Sequence, residues 1–151
     1  MTWTEHLAEL DLTLPAVATP AGAYVPATRA GEFVFTAGQL PMIDGDLAAV
    51  GKVGAEIDVE QAQRLARTCT LNALAAVDSV CGLDAINGVV KVVGFVASAP
   101  GFNSQPAVLN GASELLGEIF GERGEHARSA VGVAELPMDA PVEVELIVEV
   151  A

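Results

Sequence analysis

From Val142 to Val150 the chain alternates apolar with acidic residues except at Ile147, Val-Glu-Val-Glu-Leu-Ile-Val-Glu-Val. Successive side chains of a strand point to opposite faces, so this run reads as a strand with two unlike sides. Val142, Val144, Leu146, Val148 and Val150 form an apolar side that something must cover, while Glu143, Glu145, Ile147 and Glu149 form the other. If that second side were an oligomer interface, its carboxylates would need cationic or hydrogen-bonded partners. Arg128 is the nearest candidate, and carboxylates so paired would hold depressed pKa values and loosen the assembly in acid.

Two one-sided helices are available as cover. Asp58 is placed to cap the first, with Gln61 at the third position, and Val59, Ala62, Ala66, Cys69, Ala73, Ala76, Val77 and Val80 form an apolar stripe that Gly82 ends. The second runs from Gln105 to Phe120, with Ser104 as cap, Val108, Ala112, Leu115, Leu116 and Ile119 on one face, and Gly121 behind. Further strands are expected at Phe33–Ala37, Val89–Val96 and Ala130–Val133, with a short one around Tyr24-Val25. Helices between strands and a β-only ending favour an α+β fold, a mixed sheet with two helices on one face and the uncovered face between subunits. No linker interrupts residues 1–151, which read as one domain with an apolar helical extension over residues 1–14 carrying Trp3, Leu7 and Leu10.

Charge removes whole classes of partner. Seven Lys and Arg against twenty Asp and Glu leave a net charge of −13, so there is no basic patch to displace counterions from nucleic acid or to meet an anionic membrane. No apolar run is long enough to span a bilayer, and the first residues lack the pattern of a signal peptide, which makes the cytoplasm the expected address. Cys69 and Cys81 lie twelve residues apart in one helical pattern, about 18 Å at ~1.5 Å per residue, and so read as reduced thiols. His6 and His126 stand alone, with no metal-type spacing, and His126 reads as a structural or surface residue. Neither metal nor cofactor is expected.

In a chain so poor in cations, Arg128 at the head of Ser129-Ala130-Val131-Gly132-Val133, shortly before a glutamate-lined strand, marks a candidate anion site. The wider pattern, Phe35-Thr36-Ala37-Gly38-Gln39-Leu40-Pro41, Asn110, Ala127-Arg128-Ser129-Ala130-Val131, Leu136-Pro137 and Val142-Glu143-Val144-Glu145, resembles the Rid family of reactive intermediate deaminases, also called YjgF-like, from about Tyr24 to Val150. The resemblance implies a chorismate-mutase-like homotrimer with clefts between subunits, in which an arginine grips the carboxylate of an enamine or imine acid such as 2-aminoacrylate. Hydrolysis there releases a 2-keto acid and ammonia. Arg128 falls at that arginine's place, Glu143 at a glutamate that helps position water, Tyr24 at an aromatic lining the cleft and Asn110 at a nearby helix asparagine.

An iminium carbon is already electrophilic, so its capture by water needs orientation, a proton acceptor and a grip on the carboxylate. A planar guanidinium suits the grip better than a lysine. Two positions depart from the family pattern: Ala37 stands where a serine is frequent and Ala130 where a cysteine is, so there, as at Gly38, only backbone groups can serve. The segment from Ala99 to Ala107 is also longer than in short family members. These differences suggest a divergent subgroup and keep an alternative open, a non-catalytic trimer that binds a small carboxylate or metabolite as a sensor. An isomerase of the chorismate mutase type is disfavoured, because a dicarboxylate would profit from more than one arginine.

Overall fold

A computed structural model describes residues 1–151. Its order is α1 (Trp3–Glu9), β1 (Ala27–Ala30), β2 (Phe33–Thr36), β3 (Met42–Ile43), β4 (Asp46–Leu47), α2 (Val59–Cys81), β5 (Ile86–Ala97), α3 (Gln105–Phe120), β6 (Ala127–Val133) and β7 (Val142–Val150). Five strands form one sheet in the order β1-β2-β7-β5-β6. Only β5 and β6 run parallel, as a strand–helix–strand crossover through α3 permits; the other pairs are antiparallel. The architecture is thus α+β with a mixed sheet, as the alternation of element types implied.

The alternating run sets the sheet's two sides. Val142, Val144, Val148 and Val150 are buried beneath α2 and α3 together with Leu146, whereas Glu143, Glu145, Ile147 and Glu149 are half-buried on the side no helix covers. Across the register Val92 pairs with Leu146 and with Arg128, and a Cβ at Gly94 would overlap Leu109 of α3, so Val92, Gly94, Arg128 and Ala130 belong to the helix side. Asp58 caps α2 as expected, its carboxylate accepting from Gln61 N at 2.8 Å, and Gly82 ends the helix at φ 84°. The buried face of α2 is wider than the stripe read from sequence, for Leu65, Thr70, Asn72 and Leu74 join it while Val80 is exposed.

Several local expectations are corrected. No strand forms at Tyr24-Val25; pairing begins after Pro26, where Ala27 aligns with Thr36, and Tyr24 lies instead in a tight turn with its N–H bonded to Gly22 O. Ser104 makes no side-chain cap on α3: Pro106 at the second helical position has no N–H to offer, and Ser104, at φ −94° and ψ 34°, lacks the extended backbone of a cap residue. The hairpin β3–β4 was not anticipated, although its Asp44-Gly45 turn, with φ of 51° and 88°, is a known hairpin signal. β5 and β6 extend beyond their apolar runs, to Ile86–Ala97 and Ala127–Val133, because pairing with neighbours carries the polar ends along.

The N-terminal segment is part of the packed body. Leu7 is buried in the core, Trp3, Leu10, Leu12 and Leu14 pack against it, and the Trp3 indole donates to Ile86 O at 2.8 Å while meeting Phe120 edge-on. Thr2 and Glu5 close a capping box at the start of α1. Both cysteines are free, Cys69 buried and Cys81 partly so.

Candidate active site

Arg128 sits on β6, which borders the sheet and has one free edge. Its side chain turns to the helix side and meets α3: Nη1 donates to Asn110 Oδ1 at 2.9 Å and to Ser113 Oγ at 3.1 Å, and Nη2 donates to Pro106 O at 3.3 Å. Asn110 and Ser113 are three residues apart and so share one face of the helix. Arg128 belongs to neither ion pair of the chain, which are Lys52–Glu135 and Arg67–Glu118. Arg128 does not meet the β7 glutamates of its own chain, because the two lie on opposite faces of the sheet, so the pairing expected at an oligomer interface would have to join different copies. A guanidinium carries five N–H groups, of which three are occupied. Nε–H and one Nη2–H remain, the side-on fork that matches a carboxylate.

Glu143 belongs to a second group of residues. Gly38 and Gln39 follow β2 and are stitched to β7 by Gln39 N to Val144 O at 2.8 Å and Val144 N to Gln39 O at 3.0 Å. Glu143 lies so close over Gly38 that any Cβ there would overlap its carboxylate. Gln39 is buried, and its amide donates to Ala37 O at 3.3 Å, which holds the turn. Burial raises the Glu143 carboxyl above the ordinary glutamate range and the neighbouring Glu145 charge raises it further. Burial also raises Glu145. The depressed values expected from cross-pairing do not occur in the chain by itself, since neither carboxylate has a cation beside it.

Tyr24 is half-exposed, its hydroxyl accepting from Ala21 N at 3.0 Å, and with Gly38, Gln39, Met42 and Met138 it borders a recess of about 60 Å³. A larger hollow of about 490 Å³, lined by Pro15 to Thr19, Met42, Asn72 and Met138, adjoins it. The structure thus brings Tyr24, Ala37, Gly38 and Glu143 to one neighbourhood, and Asn110, Arg128 and Ala130 to another. Between them lies β5, a separation of roughly 10 Å at ~4.8 Å per strand. Ser113 and Gln39 were not singled out from the sequence; the spacing of Ser113 from Asn110 on one helix face was the available signal for the first. No cluster of His, Cys, Asp or Glu is arranged to hold a metal ion.

Known proteins share this arrangement of elements. A family model described as "YjgF/chorismate_mutase-like, putative endoribonuclease" matches residues 5–150. "Protein TCP17" of Trypanosoma cruzi is 43% identical over 146 residues, covering 95% of this chain and 91% of its own. The crystal structure of a "putative endoribonuclease" from Shewanella oneidensis superposes with a TM-score of 0.95 at 33% identity, over 99% of this chain and 100% of that one. E. coli TdcF with bound serine superposes with a TM-score of 0.64 at 28% identity, over 92% and 96%.

Proposed function

The chain belongs to the YjgF/chorismate mutase-like family, and from that premise we propose that it hydrolyses a small enamine or imine carboxylic acid to a 2-keto acid and ammonia. The observation that carries the reading is Arg128: in a chain with twenty acids and seven bases, its charge is held only by neutral acceptors and its side-on fork is unspent. A locally uncompensated cation reverses the repulsion that so acidic a protein exerts on small carboxylates. The serine held by the similar TdcF is itself a small carboxylate.

The two half-sites lie on opposite faces of one sheet, so a complete cleft needs a second copy. The free edge of β6 carries Arg128, while Phe33, Phe35, Val90 and Val131 are partly exposed, Phe35 and Val131 on the same uncovered face as Glu143. A homotrimer that buries this face and sets Arg128 of one copy across a cleft from Glu143 of the next, with the substrate between them, satisfies both needs. In such a cleft the enamine takes a proton at carbon to become the iminium, and water adds to the iminium carbon while Glu143 accepts its proton. Glu143 returns that proton to the carbinolamine nitrogen, and ammonia leaves as the C–N bond breaks and the hydroxyl gives up its proton to become the keto carbonyl. Burial first, and the Glu145 charge second, raise the Glu143 carboxyl and so make it a better base than an ordinary glutamate.

The family's description also names endoribonuclease activity. That reading lacks support in the charge: net −13 leaves no basic surface, and Arg67 on α2 is already paired with Glu118 at 3.3 Å. A carboxylate-binding sensor shares the Arg128 site and differs only in lacking turnover. Coupling the protein to a dehydratase that generates 2-aminoacrylate and following keto-acid release decides between them. Arg128→Lys, which keeps the charge and loses the fork, should weaken binding of pyruvate by about 1–3 kcal/mol in calorimetry. Unchanged binding in that variant would sink the site, and binding without keto-acid release in the wild type would leave the sensor.

A further inference from the structure

His126 is half-buried two residues before Arg128, on the far side of Ser113 from it. Its Nδ1 lies 2.6 Å from Gly124 O, and its Nε2 lies 2.9 Å from Ser113 Oγ. A carbonyl only accepts, so Nδ1 carries the hydrogen, and Nε2 of the neutral ring presents a lone pair. The Ser113 hydroxyl must then donate to Nε2. Donating its one proton there leaves its lone pairs for Arg128 Nη1, 3.1 Å away.

Serine inside a helix ordinarily spends its hydroxyl on a carbonyl of the preceding turn. Elsewhere in this chain such groups do so: Thr68 bonds Arg64 O, Thr70 bonds Ala66 O at 2.8 Å, and Ser79 bonds Ala76 O at 2.7 Å. Ser113 makes no such bond and is turned outward between His126 and Arg128. With Asn110 it takes both hydrogens of Nη1, which pins rotation of the guanidinium and directs the Nε and Nη2 hydrogens away from α3.

We propose that Ser113 and His126 are positioning residues for Arg128, a chain from Gly124 O through the imidazole and the hydroxyl that fixes the fork in its carboxylate-ready orientation. The proposal rests on the carboxylate-binding reading of Arg128, but part of it is measurable without any ligand. Neither residue touches substrate; both act through the guanidinium.

Proton NMR of the 15N-labelled, ligand-free protein reads the restraint directly. The Arg128 Nη hydrogens, identified by their loss in Arg128→Lys, should be resolved and slowly exchanging in the wild type and averaged in Ser113→Ala and in His126→Phe. Pyruvate binding should weaken about tenfold in Ser113→Ala, the scale of one hydrogen bond to a charged group, with KM affected more than kcat. Ser113→Thr, which retains the hydroxyl, should bind as the wild type does. Because both residues act through one hydroxyl, adding His126→Phe to Ser113→Ala should weaken binding no further. Slow Nη exchange that persists in folded Ser113→Ala, or additive losses in the double variant, would overturn the proposal. Should the wild type bind no keto acid at all, the functional reading fails, while the Nη exchange still decides whether Ser113 and His126 hold the arginine.

Discussion

Gly38→Ala tests the placement of Glu143 with one methyl group. The backbone there is ordinary for alanine, so the whole effect comes from space: the new Cβ would overlap a carboxylate oxygen and lie 2.8 and 3.1 Å from Cδ and Cγ of Glu143. Ordinary carbon contacts are about 3.5–4.0 Å, so Cγ must yield by roughly half an ångström and the carboxylate by more. The obstructing atoms are the far end of a flexible side chain, and turning it off its preferred rotamer costs about 0.5–1.5 kcal/mol. For a chain of this length that lowers Tm by only about 2–4 °C. Catalysis should suffer far more, since a displacement near 1 Å of a proton acceptor can cost about 100-fold in rate. The assay is keto-acid release under saturating 2-aminoacrylate supply, beside a melting curve. Gly111→Ala is the contrast: its Cβ would strike the Gln63 backbone, with Cα at 2.9 Å, so α2 and α3 must part and Tm should fall further than in Gly38→Ala. Turnover in Gly38→Ala within about threefold of wild type would show that Glu143 is not the proton acceptor or is not held by this contact.

Glu143→Gln should raise Tm at neutral pH as it abolishes turnover. The folded pKa lies above the unfolded one, so the ionised carboxylate costs stability at neutral pH, a cost that disappears as pH falls through the folded value to below the unfolded one. The Tm advantage of the variant should therefore vanish in acid, and a lower Tm at pH 7 would mean that a cation of another copy pairs with Glu143. Trp3→Ala should cost about 3 kcal/mol, lowering Tm by roughly 10 °C, because the indole both packs on Phe120 and donates to Ile86 O; a change below ~0.5 kcal/mol would make the N-terminal helix a mere appendage. Light scattering should return about 46 kDa, three copies of the 15.4 kDa chain. A monomer at micromolar concentration would separate the two half-sites and remove the proposed cleft.

Periodicity was enough to establish both helices, the strand Val142–Val150 with its two sides, and hence the class of the fold. Those are local properties: a strand's period of two and a helix's of 3.6 are written in any nine or twenty residues of sequence. Asp58 and Gly82 marked the ends of α2 for the same reason, since caps act within one turn. The identities of Arg128 and Glu143 as candidates were also legible, from their rarity and their pattern. What no window of sequence contained was the side of the sheet to which Arg128 points. That depends on β6 pairing parallel to β5 in a register that aligns Arg128 with Val92, a contact made across 36 positions of chain. The register turns the arginine to α3, away from Glu143 of the same chain, so that the two residues form separate half-sites. Ser113 and His126 became visible for the same reason: only the docking of α3 against β6 brings a helix serine, a loop imidazole and a strand arginine within hydrogen-bond reach.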